Sequence, residues 1–127
     1  MPIGEARRLC PRAVFVAPSH GRYGEVSEQV FEVFRSFTPE VEGLSVDEAF
    51  LDIAGLRLHH ESPAAVGNAL RDRVRAEVGL PASVGISAVK FISKLASDSA
   101  KPDGLLVVEK GKELEFLHPM DVRRLWG

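Results

Sequence analysis

Three carboxylates interrupt the most strand-like stretch of the chain, Leu44-Ser45-Val46-Asp47-Glu48-Ala49-Phe50-Leu51-Asp52-Ile53. Residues 41–53 are rich in Val, Phe, Leu and Ile, and Gly43 divides them into two short runs, a pattern that predicts a hairpin. Alternate side chains of an extended strand share a face, which sets Asp47 with Ser45, Ala49 and Leu51, and sets Glu48 and Asp52 with Val46 and Phe50. Neither face is plainly the solvent face. An ionised carboxylate among apolar neighbours is costly unless a cation, hydrogen bonds or a metal offsets its lost hydration. Two readings follow. The acids bind a divalent cation such as Mg²⁺, which prefers hard oxygen ligands and completes its shell with substrate phosphate, or they sit on an edge strand and face water or Arg and Lys.

The rest of the chain is organised around that stretch. Val26, Val30, Phe31, Phe34 and Phe37 recur at helical spacing and Pro39 stops them, predicting an amphipathic helix over residues 23–37 after a short apolar run at 13–17. Ser62-Pro63 supplies an N-cap and a first-turn proline, and Val66, Leu70, Val74 and Val78 make a second helical stripe that ends at Gly79 and Pro81. Residues 83–87 alternate as a strand does, Phe91, Ile92, Leu95 and Ala96 suggest a short helix, and a turn at Lys101-Pro102-Asp103-Gly104 leads into a strand over 105–108. No repeat or long linker divides the chain. Its 127 residues, 45% of them hydrophobic, suit one modest core. The expected class is α+β, a small sheet with helices on one face.

A second cluster bears on the first. The strand at Ser83-Val84-Gly85-Ile86-Ser87 delivers a short basic helix with Lys90 and Lys94, followed by Ala96-Ser97-Asp98 and a turn that Lys101 opens. Such lysines act as point charges on a triphosphate, or they are an ordinary solvated helix face.

Together these residues resemble a known family. The segment Val41-Glu42-Gly43-Leu44-Ser45-Val46-Asp47-Glu48-Ala49-Phe50-Leu51-Asp52 closely resembles the central catalytic motif of the Y-family (lesion-bypass) DNA polymerases, particularly the bacterial polymerase IV group. The resemblance continues in order through residues 83–87, Lys90, Lys94-Leu95-Ala96-Ser97 and residues 100–104. Pro2-Ile3-Gly4-Glu5-Ala6 and Leu9-Cys10-Pro11 look like the segment leaving that family's fingers. Phe116-Leu117-His118-Pro119 and Leu125-Trp126-Gly127 look like the start of its thumb.

The resemblance implies a ferredoxin-like βαββαβ polymerase palm, incomplete, over residues 1–113, with the start of the thumb at 114–127. It carries Asp47 and Glu48 over as metal-binding catalytic carboxylates and Lys101 as the triphosphate contact. It implies two Mg²⁺ ions and attack of a primer 3′-hydroxyl on the α-phosphate of a deoxynucleotide. The implied partners are primer–template DNA, deoxynucleoside triphosphates and, through sequence beyond this stretch, the sliding clamp. No role passes to Tyr23 or Ser27. The family's first palm strand with its own metal-binding aspartate, its steric-gate aromatic and its fingers have no counterpart here, so the chain alone is expected to be inactive.

Other signals narrow the classes. Sixteen basic and eighteen acidic residues give a net charge of −2, so any nucleic-acid contact must be local. Cys10 is a lone cysteine, no run is long enough to span a bilayer, and nothing reads as a signal peptide, which fits a cytoplasmic protein. Glycine-rich dinucleotide loops, phosphate-binding Gly-Lys-Ser/Thr loops and nucleophile-elbow serines are absent from the sequence. His59-His60-Glu61 reads as a solvated loop rather than a metal cluster, and Arg71, Arg73 and Arg75 read as a charged helix face. Two competitors stand beside the polymerase reading. One is a non-catalytic polymerase-like accessory protein that binds DNA or repair partners; the other, a palm-type nucleotide cyclase, fits the lysine-rich segment poorly.

Overall fold

The computed structural model describes residues 1–58 and 60–125. In chain order it has α1 (Ile3–Leu9), α2 (His20–Phe37), β1 (Val41–Gly43), β2 (Ala49–Leu51) and a 3₁₀ turn at Ala54–Leu58. There follow α3 (Pro63–Val78), β3 (Val84–Ile86), α4 (Lys90–Ser99), β4 (Leu105–Val107), α5 (Glu113–Leu117) and a second 3₁₀ turn at Val122–Arg124.

The helices largely follow their local signals. Ser62 caps α3, its hydroxyl accepting from the Ala65 amide at 3.1 Å, and Gly79 ends it in the left-handed region at φ 76°. Helix α2 starts at His20, ahead of the expected residue 23, and the Tyr23 amide donates to the Ser19 carbonyl at 3.1 Å. Its apolar side buries Val33 against Leu70 and Val74 of α3, with Phe34, Phe37, Leu51 and Val84 around them. Helix α1 was not expected. It buries no residue, so no apolar stripe announces it. The apolar run at 13–17 forms no strand and stays in solvent, with Val14 88% exposed.

The strands form two two-stranded ladders. β1 and β2 pair antiparallel, Glu42 opposite Phe50, which is the expected hairpin. β3 and β4 pair parallel, Gly85 opposite Leu106, and α4 is the crossover that parallel strands require. That crossover lies very close to its strand. A Cβ on Gly85 would stand 2.0 Å from the Ser93 carbonyl oxygen and 2.3 Å from the Ser97 amide nitrogen, so only glycine lets α4 approach this far. Ile92 and Ala96 of α4 are buried with Val108, and Phe116 and Leu117 close over them. Leu95, 1% exposed, is the most buried large side chain. Among the described residues, no helix is long and apolar enough to cross a membrane.

Candidate functional site

Asp47 and Glu48 are not strand residues, contrary to the alternation expected of residues 44–53. They lie in the loop between β1 and β2. The Leu44 and Ser45 amides both donate to the Glu48 carbonyl, at 2.8 and 3.3 Å. The Ser45 hydroxyl donates to Asp47 Oδ1 at 2.6 Å and accepts from the Asp47 amide at 3.4 Å. Local serine and aspartate hydrogen bonds of this kind compete with a strand ladder, which is why the run turns. Asp47 is exposed and Glu48 half-buried. Asp52 belongs to a different job: its Oδ1 accepts from the Ala54 amide at 2.8 Å where the 3₁₀ turn begins.

Helix α4 presents its charges to this loop. Lys90, Lys94 and Asp98 fall at successive four-residue steps, which places them on one stripe. Lys94 Nζ donates to both oxygens of Glu48, at 2.6 and 2.7 Å, and its side chain is only 13% exposed. Lys90 pairs with Glu42 of β1 and lies 5.6 Å from the centre of the Phe50 ring. Both lysines are ion-paired to the hairpin, but only Lys94 is largely withdrawn from water; Lys90, 62% exposed, keeps the solvated face expected of it.

Lys101 stands just past the end of α4, with Nζ 2.7 Å from Asp98 Oδ1. The hydrogen bond and charge of Asp98 raise its pKa above the ordinary lysine value, and the Glu48 and Asp47 carboxylates add to the same rise. The three residues named from sequence thus share one electrostatic neighbourhood; Lys94, offered from sequence as a triphosphate contact, enters it instead as the partner of Glu48, and Asp98 as the partner of Lys101. The four-residue spacing of Lys90, Lys94 and Asp98 was the available signal.

Two adjacent carboxylates on a loop are hard oxygen donors of the kind that suit Mg²⁺, and the exposure of Asp47 leaves room for phosphate oxygens and water. The fit is that of a partial donor set. Among the described residues, no group of three or more His, Cys, Asp or Glu is arranged to hold a metal ion. A shallow cleft lined by Glu40, Glu42, Phe50, Asp52 and Lys90 runs along the hairpin and includes neither Asp47 nor Glu48.

One other sequence reading changes. Arg71 and Arg75 are not a free charged face: both bind Asp103, in the turn that Lys101 opens. Arg73 does keep the ordinary pattern, pairing with Glu77 one turn on at 2.6 Å. His60 lies against Phe37, ring centres 6.4 Å apart. His59, Trp126 and Gly127 lie outside the described residues.

The family model described as impB/mucB/samB matches residues 1–98. The chain is 46% identical to DNA polymerase IV 2 of Mesorhizobium japonicum over 127 residues, all of this chain and 31% of that protein. It is 44% identical to DNA polymerase IV of Desulfatibacillum aliphaticivorans, again over its whole length and 32% of the relative. The chain thus spans about a third of the length of the curated relatives it matches. A crystal structure of a DinB family error-prone DNA polymerase from Sulfolobus solfataricus superposes with a TM-score of 0.88 at 24% identity. It covers 100% of this chain and 38% of that one. The expected class, an incomplete polymerase palm of helices and small sheets, agrees with that likeness.

Proposed function

Since this chain belongs to the impB/mucB/samB family, we propose that it is part of a Y-family DNA-directed DNA polymerase acting in translesion synthesis and DNA repair. Its partners in that reading are primer–template DNA and deoxynucleoside triphosphates, and its setting is the cytoplasm. Residues 1–113 would be palm and residues 114–127 the start of a thumb.

The observation that carries the reading is the pairing of Glu48, on the loop it shares with Asp47, with Lys94 of α4, followed at the end of that helix by the Lys101–Asp98 pair. Asp47 and Glu48 would hold Mg²⁺ by their carboxylate oxygens. Two such ions, when bound, lower the proton affinity of the primer 3′-hydroxyl and neutralise the departing pyrophosphate. Lys101 would set its ammonium against the triphosphate, exchanging Asp98 for phosphate oxygens. Lys94 holds the Glu48 carboxylate in place, which limits the rearrangement needed when a nucleotide arrives. The 127 residues by themselves are proposed to be inactive, because two carboxylates are a small donor set for two ions.

Primer extension with magnesium and deoxynucleotides tests this. The chain is assayed beside the same chain joined to an N-terminal palm strand, fingers and thumb taken from a polymerase IV relative, with Asp47→Ala and Glu48→Ala versions of the joined protein. Extension by the joined protein alone, abolished by both substitutions, is expected. A folded but inactive joined protein would replace the reading with that of a non-catalytic accessory protein.

A further inference from the structure

The turn at residues 101–104 is fastened by polar contacts from another helix. Arg71, in the middle of α3, spreads its guanidinium over three partners. Nε donates to the Ala82 carbonyl at 3.0 Å, and Nη1 to Asn68 Oδ1 at 3.1 Å. Nη2 donates to the Asp103 carbonyl at 2.6 Å and to Asp103 Oδ1 at 3.2 Å. Arg75, one helical turn later, takes Asp103 Oδ2. The Arg71 side chain is only 19% exposed, so its contacts to Ala82 and Asp103 are partly shielded and use the planar, forked donor set of the guanidinium.

What they fasten is a backbone with little freedom left. Asp103 has φ 55°, a left-handed conformation uncommon outside glycine but tolerated by Asp and Asn. A Cβ on Gly104 would stand 2.1 Å from the Ala100 carbonyl oxygen, so the turn folds tightly back on the end of α4. Lys101 and Pro102 are exposed. Arg71 and Arg75 anchor the turn from 32 and 28 residues away.

We infer that Arg71, acting through Asp103, is a positioning residue for Lys101: it fixes the turn that sets the lysine ammonium beside Asp98 at the end of α4, where it would meet a triphosphate. The inference rests on the polymerase reading above. A misplaced catalytic contact costs rate or affinity even when the contacting group itself is intact. Arg71 therefore matters through the lysine and not through its own charge.

The test measures the affinity of the 127-residue chain for the magnesium complex of a non-hydrolysable dATP analogue by amide chemical-shift titration, which reaches weak binding. Lys101→Ala and Arg71→Met are each expected to weaken binding on the order of tenfold. The double variant is expected to be no weaker than Lys101→Ala alone, because Arg71 acts only through that lysine. Ser62→Ala, which loosens the same helix at its other end, is expected to leave affinity unchanged, a result that general destabilisation of α3 would not give. Arg71→Lys, which keeps the charge without the fork, carries the same expectation should Arg71→Met fail to fold. Additive losses in the double variant, or full affinity in both Arg71 variants while Lys101→Ala is weakened, would overturn the positioning role and leave the polymerase reading standing. Full affinity in Lys101→Ala, or no binding by the unaltered chain, would overturn the positioning role together with the triphosphate role of Lys101, whereas the polymerase reading itself falls only with the primer-extension test.

Discussion

Replacing Gly85 with alanine tests the packing on which the candidate site rests. The added methyl would stand 2.0 Å from the Ser93 carbonyl oxygen, 2.3 Å from the Ser97 amide nitrogen and 2.8 Å from the Ala96 methyl. The two nearest of these are main-chain atoms of α4, which no rotamer change can remove. Relief requires α4 to withdraw from β3 by about 1 Å, which opens the contacts of Leu95 and Ala96 on its inner face. Overpacking of this kind costs about 1–3 kcal/mol, and collision with backbone puts Gly85→Ala at the upper end, about 3 kcal/mol. With an unfolding entropy of about 2.1 cal/mol/K per residue over a chain of this length, 3 kcal/mol lowers Tm by about 11 °C.

Thermal unfolding followed by far-ultraviolet circular dichroism measures that shift, and two other glycines calibrate it. At Gly67 the new methyl would meet Leu105 Cδ1 at 2.7 Å and Ile86 Cδ1 at 3.0 Å, the ends of side chains that can turn aside, so a loss of about 1 kcal/mol is expected. At Gly55 nothing lies within 4 Å, so alanine there is expected to change stability by no more than about 0.5 kcal/mol. A Gly85→Ala protein that melts with Gly55→Ala would refute the close seating of α4. With it would go the fixed positions of Lys94 and Asp98, which that helix carries.

Three further outcomes are expected. Lys94→Met removes the partner of Glu48; because Glu48 is half in water, the loss in stability is expected to be no more than about 1 kcal/mol. Faster hydrogen exchange at the Leu44 and Ser45 amides, which close the carboxylate loop, is the sensitive readout, and unchanged exchange would count against the latch. Asp103 is held below its ordinary carboxyl pKa of 3.8 by its hydrogen bond to Arg75, with the Arg71 hydrogen bond adding to it. A carboxyl with a depressed folded-state pKa adds stability above its unfolded pKa and loses it as pH falls through the folded one. The stability gap between the protein and Asp103→Asn is therefore expected to be full at neutral pH and to close below about 3.8, and a gap independent of pH in denaturant titrations would contradict it. Ser62→Ala is expected to cost about 1 kcal/mol in the same titrations through loss of the α3 cap.

The parts of the fold that were legible in the sequence are those whose causes are local. Ser62, Pro63 and Gly79 bracket α3 within one residue of its ends because a cap, a first-turn proline and a left-handed glycine act on their own neighbours. Gly43 divides the hairpin where β1 ends. The failures have causes at longer range or weaker signals. Helix α1 has no buried face to impose a period. The apolar run from Leu44 to Ile53 has the composition of a strand throughout, yet a serine hydroxyl and two amides turn it over at the middle. Arg71 resembles any exposed helix arginine until Asp103 is found beside it. Lys94 and Glu48 lie 46 residues apart, and neither carries a mark of the other.

The changed position of Asp47 and Glu48 alters why they suggest a cation. In an apolar strand the reason would be the cost of burying charge. On an exposed loop that cost is small, and what distinguishes the pair is the company it keeps. Lys94 is nearly buried yet spends its charge on Glu48, and Lys101 rests on Asp98 within the field of both loop carboxylates. A long cationic side chain can be kept out of water only with a partner, so the Lys94 pair fixes a carboxylate that would otherwise wander with its loop. Helix α4 makes this possible by having two faces with separate duties. Ile92, Leu95 and Ala96 seat it in the core, while Lys90, Lys94 and Asp98 hold the hairpin and the Lys101 turn. An exposed Asp47 beside a Glu48 already oriented by Lys94, both set against a helix whose other face is packed in the core, is the kind of arrangement that electrostatic preorganisation requires.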